Sequence, residues 1–204
     1  MALLAPALLA AQPPPQPPPA QPPGQPPPGG RGGGGGRGRG GVQVMTLTST
    51  AWSDGGAIPL KYTQAGDDIS PPLAWSNVPA NITSFVLIVH DVDAAIGNGL
   101  DDITHWMLWN LPATTTSLPE HVPSMPQMAD GTRQIGATAP HYRGPGATPP
   151  GPPHHYVFEL YALDTMINVP AVGQTPAQTR AAVVSAMTDH VRGKAVYVGL
   201  FRRP

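Results

Sequence analysis

The chain has 204 residues, a formal net charge of −1 and no cysteine. The lack of cysteine excludes disulfide bonds, thiol catalysis and thiolate metal sites. Residues 1–41 hold 12 of the 29 prolines and 11 of the 24 glycines, and their only charged side chains are three arginines. Without these arginines the chain has 8 basic and 12 acidic residues. Residues 42–204 are therefore mildly acidic, which argues against non-specific nucleic-acid binding.

Residues 1–41 are predicted to be a disordered tail, because their composition cannot bury enough apolar surface to offset the entropy of ordering them. Residues 1–11 contain the apolar run ALLAPALLAA, which has the length of a signal-peptide core but no basic residue before it. The run is too short to span a membrane, and it slightly favours a periplasmic or secreted location over the cytoplasm. The following Pro-, Gln- and Gly-rich stretch is interpreted as a linker, with RNA binding through RGRGG as the weaker alternative.

Residues 42–204 are long enough to form one domain with a substantial core. Val42–Thr48 alternates apolar and polar residues, as a half-buried strand does, and SFVLIV at 84–89 is typical of a strand buried on both faces. Trp106–Leu111 and Tyr156–Leu163 predict two further strands between Pro- and Gly-rich loops. Four large residues are expected in the core: Trp106, Trp109, Phe158 and Leu160.

One helix is predicted near the end of the chain. Thr175 is a suitable N-cap, and Pro176 suits the first helical position. An apolar stripe follows at helical spacing: Val183, Val184, Met187 and Val191. Gly193 is suited to end the helix, and Ala195–Phe201 predicts a closing strand. Many strands with a late helix favour a mainly β fold, a β-sandwich with one or two peripheral helices near the C-terminus.

Ionisable residues stand at the ends of two of these strands. HDVDA at 90–94 follows the buried strand, and Asp91 and Asp93 share a face if the strand continues. His105 opens the strand HWMLWNLP at 105–112. From position alone, a solvated turn for the aspartates and a structural role for the histidine are the stronger interpretations.

A Pro- and Gly-rich loop leads into the last of the aromatic strands. His154, Tyr156 and Phe158 alternate onto one face of this strand, and His155 lies on the other face. A stiff loop of this kind fixes backbone shape at low entropic cost. It either delivers the histidines to a site or forms a rigid surface loop with a solvated histidine pair.

Taken together, these segments resemble the phosphatidylethanolamine-binding protein family, and more narrowly its bacterial Raf-kinase-inhibitor-like branch. The matching motifs occur in the family's order: SPPLAW at 70–75, DVDA at 91–94, HWMLWNLP at 105–112, and YRGPG with PPGPPHHYVFELYALD at 142–164. The resemblance implies a β-sandwich built on a large antiparallel sheet, with a small anion-binding pocket at one end. In that family the pocket takes phosphate-like groups or phospholipid head groups.

The resemblance carries a set of ligand-binding residues to this chain: Asp91, Asp93, His105, Gly144, Pro145, His154 and Tyr156. Gly144 would let a ligand approach the backbone closely, and Arg143 is either an additional anion contact or a solvated loop arginine. Two features depart from the family pattern. Val92 and Ala95 stand where prolines are usual, and the loop at 96–103 is longer and more acidic than usual.

The predicted function is a non-enzymatic binding module for a small anionic or zwitterionic ligand, with no cofactor, no catalytic residue and no metal ligand. Two alternatives stay open. One is a metal-dependent hydrolase that uses the Asp and His residues as ligands. The other is a protein-interaction inhibitor of a kinase or other enzyme, which rests on analogy alone.

The two aspartates also predict the kind of ligand, because carboxylates beside a phosphate dianion would repel it. Asp91 and Asp93 should either pair with His105 and His154 and raise the pKa of both rings, or meet the cationic end of a ligand. Either role favours a zwitterion such as phosphoethanolamine over inorganic phosphate. If the histidines must be protonated, binding should tighten as pH falls.

A protein that starts at Val42 is expected to fold and to melt within a few degrees of the full chain, because residues 1–41 lack the apolar periodicity needed to pack on a domain. Thermal unfolding followed by circular dichroism compares the two proteins. A large cooperative loss of stability on truncation would show that the tail packs on the domain.

Overall fold

The computed structural model describes residues 41–204, so the predictions for the tail, the linker and the signal segment lie outside the described residues. The strands in this range are β1 (Gln43–Val44), β2 (Thr46–Thr48), β3 (Gly56–Ala57), β4 (Leu73–Ser76), β5 (Ser84–Ile96), β6 (Asp101–Pro112), β7 (Ser117–Leu118), β8 (Arg133–Gly136), β9 (His154–Leu163) and β10 (Val191–Phe201). The helices are a short 3₁₀-helix (Leu60–Tyr62) and α1 (Pro176–Ala186). Within this range no helix has both the length and the apolar character needed to cross a bilayer.

The strands form a large and a small sheet. The large sheet has the order β1-β10-β9-β5-β6-β8, and β3 pairs with the far end of β10. Its long strands are antiparallel as predicted, but the short strands β1 and β3 run parallel to β10, so the sheet is mixed at this edge. The small sheet, β2-β4-β7, is antiparallel. The predicted mainly β fold with one helix near the C-terminus is confirmed.

Both faces of the large sheet are covered. Its inner face packs on the small sheet through a cluster that includes Leu47, Leu73, Trp75, Phe85, Leu87, Trp106, Leu108, Phe158 and Leu160. Its outer face packs on α1 and the segment after β9 through a cluster that includes Val86, Ile88, Met107, Trp109, Ile167, Val183 and Met187. This double burial explains why residues 85–89 are continuously apolar. The four predicted core residues are fully buried: Trp106, Trp109, Phe158 and Leu160.

The prediction of one strand over Val42–Thr48 is wrong. β1 pairs with β10 of the large sheet, whereas β2 pairs with β4 of the small sheet. Met45 lies between β1 and β2, is buried, and donates its N–H to the Lys194 carbonyl at 2.8 Å. The chain therefore changes sheets at Met45. The alternation does break at this point, because Val44 and Met45 are adjacent apolar residues, and the prediction of one continuous strand overlooked this break.

Helix α1 begins as predicted. Thr175 is the N-cap, and its hydroxyl accepts the Gln178 N–H at 3.3 Å. The Gln178 side chain accepts the Thr175 N–H at 3.0 Å, which completes a capping box. Val183 and Met187 are buried against the sheet, but Val184 is 49 % exposed. The apolar stripe is therefore narrower than predicted.

The predicted helix end at Gly193 is wrong. Helix α1 ends at Ala186, and Asp189 (φ 65°) makes a left-handed turn after it, a conformation that Asp adopts more readily than most residues. Val191, predicted as part of the helical stripe, begins β10. A Cβ at Gly193 would lie 2.6 Å from the sulfur of Met45, so this glycine permits close packing beside β1.

An ionic cluster on the outer face of the large sheet also holds α1. Arg180 of α1 pairs with Asp102 of β6, and Asp102 Oδ2 lies 2.5 Å from Nδ1 of His90 in β5. Glu159 of β9 lies 3.4 Å from Nε2 of His90 and 2.6 Å from Lys194 Nζ. Burial opposes a charged His90 ring, but the neighbouring Glu159 and Asp102 carboxylates raise its pKa above the usual range. The neighbouring His90 ring and then the Lys194 ammonium group lower the pKa of Glu159 to about 2 despite its burial.

Strands β5 and β6 continue beyond the core as a hairpin. Residues 96–103 were predicted to form a loop, but β5 extends to Ile96 and β6 begins at Asp101, which pairs with Ile96. The residues that replace the expected prolines, Val92 and Ala95, do not restrict φ as proline does. The backbone can therefore resume its pairing with β6 at Ile96 after the irregularity that follows Asp91.

Met187→Lys is expected to lower the free energy of unfolding by about 2–5 kcal/mol, because a buried apolar contact is lost and a cation is placed in apolar surroundings. Urea denaturation measures this change. The control is Val184→Lys, on the exposed side of α1, which should cost less than about 1 kcal/mol. Equal effects of the two substitutions would contradict the docking of α1 through Met187.

Candidate functional site

A cavity of about 240 Å³ lies where β5 leaves the core and β6 and β9 begin. Its lining consists of Gln64, Asp91, Ala94, Ile103, His105, Gly146, Ala147, Thr148, His154 and Tyr156. Strand register brings part of this set together, because Asp91 is paired with Tyr156 of β9 on one side and with Ile103 of β6 on the other. Four of the predicted ligand-binding residues line the cavity: Asp91, His105, His154 and Tyr156.

Asp91 carries the buried charge of this cavity, with a side chain only 4 % exposed. Its Oδ1 accepts the N–H groups of Asp93 at 3.0 Å and Ala94 at 3.1 Å. Its Oδ2 lies 2.8 Å from Nδ1 of His154. Several donors therefore compensate the charge, as a buried carboxylate requires. Asp91 lines the cavity, but its oxygens are already engaged by the protein.

His105 is a neutral ring held by the loop that follows β8. Its Nδ1 donates to the Arg143 carbonyl at 2.7 Å, and its ring meets the Tyr156 ring edge-on with centroids 5.2 Å apart. Burial lowers the pKa of His105 and outweighs the opposing effects of the Arg143 carbonyl and the Asp91 charge. The prediction that His105 pairs with a carboxylate and has a raised pKa is therefore wrong, although the Asp91 charge acts in that direction. The aspartate at this site is hydrogen-bonded to His154 instead.

Tyr156 ties the Gly-rich loop to β9. Its hydroxyl accepts the N–H groups of Gly146 and Ala147, both at 3.1 Å. Burial, together with the charge of Asp91, raises the pKa of Tyr156 to about 12 against the effect of those two N–H groups. The hydroxyl therefore stays protonated near neutral pH and helps to shape the cavity.

Three of the predicted residues hold the loop and do not belong to the cavity lining. Arg143 places Nη1 3.0 Å from Asp68 Oδ2 and donates from Nη2 to Gln64 Oε1 at 2.9 Å. The N–H of Gly144 donates to Asp68 Oδ1 at 2.6 Å, and the Pro145 carbonyl accepts the Gln64 N–H at 3.0 Å. These contacts support the structural interpretation of Arg143, because its guanidinium is already bound within the protein.

Gly144 is required by the protein itself. A Cβ there would lie 2.4 Å from the Tyr62 carbonyl oxygen. Neighbouring backbone, and not a ligand as predicted, therefore approaches Gly144 closely. Gln64 belongs to this same neighbouring segment and lines the cavity. Gln64 was not predicted as a site residue, because nothing in the stretch KYTQAG indicates that this segment lies against the Gly-rich loop.

Asp93 forms a separate, exposed pair. Its Oδ2 accepts the backbone N–H of His155 at 2.6 Å and lies 2.8 Å from Nδ1 of the same residue. The side chains of Asp93 and His155 are 42 % and 55 % exposed, and neither belongs to the cavity lining. The N–H of His155 is the main cause of a lowered Asp93 pKa. The two neighbouring histidines of β9 thus each meet one aspartate of the DVDA box.

Asp91→Asn is expected to lower the free energy of unfolding by about 1–3 kcal/mol, because an amide NH₂ would then face the hydrogen-bond donors that the buried carboxylate accepts. Chemical denaturation at neutral pH measures the loss. Asp93→Asn is the matched control and should cost less than about 1 kcal/mol, because the Asp93 pair is exposed. A larger loss for Asp93→Asn would contradict the central role of Asp91.

Comparison with known proteins agrees with this architecture. A family model for phosphatidylethanolamine-binding protein matches residues 48–202. A UPF0098 protein of Methanothermobacter thermautotrophicus is 40 % identical over 163 residues, which cover 78 % of this chain and 99 % of the relative. The crystal structure of a phosphatidylethanolamine-binding protein homologue from Chlamydia trachomatis is 33 % identical with a TM-score of 0.65, and covers 80 % of this chain and 100 % of that one.

A second solved structure shares the fold at lower identity. An Escherichia coli protein described as a member of the mammalian phosphatidylethanolamine-binding family is 24 % identical with a TM-score of 0.62, over 78 % of this chain and 99 % of that one. The motifs, the sandwich and the family match all lead to the same assignment. The chain belongs to the phosphatidylethanolamine-binding protein family.

Proposed function

We propose that this protein binds a small anion, such as a phosphoryl group, in the cavity lined by Asp91, His105, His154 and Tyr156, and that it acts as a binding protein and not as a catalyst. The observation that supports this most directly is the Asp91–His154 pair, which lies beside the buried His105 in one cavity. Family membership points in the same direction, because relatives are described as phosphatidylethanolamine-binding proteins.

The hydrogen bonds of the two histidines favour a phosphoryl ligand. Nδ1 of His154 is engaged by Asp91, and Nδ1 of His105 by the Arg143 carbonyl, so Nε2 of each ring is the nitrogen left to meet a ligand. His154 donates from Nε2 when its ring is protonated, whereas the neutral His105 accepts there. A ligand with adjacent oxygens, one of them carrying a hydrogen, satisfies both rings. Hydrogen phosphate and phosphomonoester monoanions have this arrangement.

The size of the cavity limits the ligand further. A volume of about 240 Å³ is below the range of about 300–1,000 Å³ that is usual for drug-sized ligands. The enclosed part of the ligand is therefore small. A phosphoryl group fits this description whether it comes from a free phosphate, a phosphomonoester or a lipid head group.

The contacts of the two aspartates weigh against the predicted preference for a zwitterion. Asp91 and Asp93 are each engaged by a histidine, and only Asp91 belongs to the cavity lining. No carboxylate of the described residues is therefore assigned to the ammonium group of a ligand. We expect phosphoethanolamine to bind no more tightly than inorganic phosphate.

The metal-dependent hydrolase has less support. Between residues 41 and 204, no group of three or more His, Asp or Glu side chains is arranged to hold a metal ion. The inhibitor of a kinase or other enzyme stays a prediction from the resemblance. The periplasmic or secreted location also stays a prediction, because residues 1–11 lie outside the described part of the chain.

His154→Ala is expected to weaken binding of inorganic phosphate about tenfold or more, because a charge-assisted hydrogen bond is removed. Calorimetric titration of the full chain with inorganic phosphate measures this change. Phosphoethanolamine serves as the second probe.

The matched control for this experiment is His155→Ala, which removes the neighbouring exposed ring and should leave the affinity unchanged. Loss of binding in both variants would mean that the effect does not arise in the cavity. Absence of phosphate binding by the unaltered protein would refute the proposed function.

A further inference from the structure

The cavity has little positive charge of its own. Its ionisable lining residues are Asp91, His105, His154 and Tyr156, and the buried histidine and the tyrosine are neutral near pH 7. No lysine or arginine occurs in the lining. An anion that enters the cavity therefore meets one buried carboxylate and one imidazole that can be protonated. A positive charge must come from outside the lining if anions are to be favoured.

Two guanidinium groups reach the cavity wall from behind Gln64. The side-chain oxygen of Gln64 accepts from Arg143 Nη2 at 2.9 Å and faces Arg203 Nη2 at 3.4 Å. Arg143 is neutralised by Asp68 at 3.0 Å. The Arg203 backbone is fixed beside the same wall, because its N–H donates to the Ala147 carbonyl at 2.8 Å. Asp68, Arg143 and Arg203 together therefore carry one excess positive charge, and that charge belongs to Arg203.

Arg203 differs from the other cations of the folded range. Of the eight Lys and Arg residues in residues 41–204, five are paired with a carboxylate. Arg133 and Arg202 instead donate to the carbonyls of Val169 and Gly151. Nε of Arg203 is buried without a hydrogen-bond partner in the described structure. An anion that approaches a guanidinium in this state stabilises it, because the anion compensates a buried donor that lacks a hydrogen-bond partner.

We propose that Arg203 determines the specificity of the cavity for anions, because its guanidinium supplies, from behind Gln64, the positive charge that the lining lacks. The inference rests on the proposed function, since it concerns the same ligand. A unit charge several ångströms from a bound anion changes its affinity by roughly tenfold or more at an effective dielectric constant near 20. Arg203 acts on the ligand through the electric field of its charge. Within residues 41–204, its guanidinium is held only by a long contact of 3.4 Å to the side-chain oxygen of Gln64.

The test is calorimetric titration of the full chain with inorganic phosphate at low ionic strength. Arg203→Gln is expected to weaken phosphate binding roughly tenfold, whereas Arg203→Lys, which keeps the charge, should recover most of the affinity. The effect of Arg203→Gln should shrink when salt is added, because added ions screen the charge. The matched control, Arg202→Gln, removes a neighbouring guanidinium bound to the Gly151 carbonyl and should leave the affinity unchanged.

The outcomes separate this inference from the proposed function. If Arg203→Gln binds phosphate as tightly as the unaltered protein, while His154→Ala still weakens binding, the role of Arg203 is refuted and the proposed function stands. Equal losses for Arg203→Gln and Arg202→Gln, or no recovery with Arg203→Lys, would also overturn it. Absence of phosphate binding by the unaltered protein would refute both. Melting temperatures close to that of the unaltered protein show that the variants are folded.

Discussion

The carboxylate of Asp91 is withdrawn from water at the point where the central strand β5 leaves the core, and a buried charge is tolerated only where donors surround it. The backbone supplies two donors by turning after Asp91, and β9 supplies His154. Meeting these requirements fixes the orientation of the His154 ring. Tyr156 of the same strand is paired with Asp91 in the sheet, and its hydroxyl holds the Gly-rich loop over the cavity.

The same strand end organises the opposite face of the sheet. His90 and Asp91 are neighbours, so their side chains lie on opposite faces. Asp91 contributes to the cavity on the inner face, and His90 joins the cluster of Asp102, Glu159 and Arg180 on the outer face. The outer cluster links α1 to strands β5, β6 and β9. The cavity is thus built on strands whose other face is fixed by ion pairs and apolar packing.

Three chain segments that are distant in sequence meet at Gln64. Its side chain contacts the loop at Arg143 and Gly144 and also Arg203, which follows the last strand. Gly144 has no room for a side chain here, because backbone of the first segment lies against it. The Gln64 amide therefore lies between the guanidinium groups of Arg143 and Arg203 and a cavity lining that has little positive charge of its own. The geometry of the loop and the electrostatics of the site therefore depend on one another.

Local patterns in the sequence were sufficient to predict the β-sandwich, the buried strand at 84–89, the cap at Thr175 and the family. Hydrophobic periodicity, capping chemistry and contiguous motifs are properties of short segments. Ionisable residues at the ends of apolar strands drew attention to Asp91 and His154, but the resemblance to the family, and not position alone, favoured a binding role for them.

Only the tertiary structure decided which histidine each aspartate meets, where the chain changes sheets, and that Gln64 and Arg203 adjoin the cavity. Register decides the first of these, and a shift of one residue would turn each side chain to the other face of the sheet. The contacts of Gln64 and Arg203 join segments more than 75 residues apart. No local pattern in a single sequence records such a contact, because it exists only once the strands between those segments have paired.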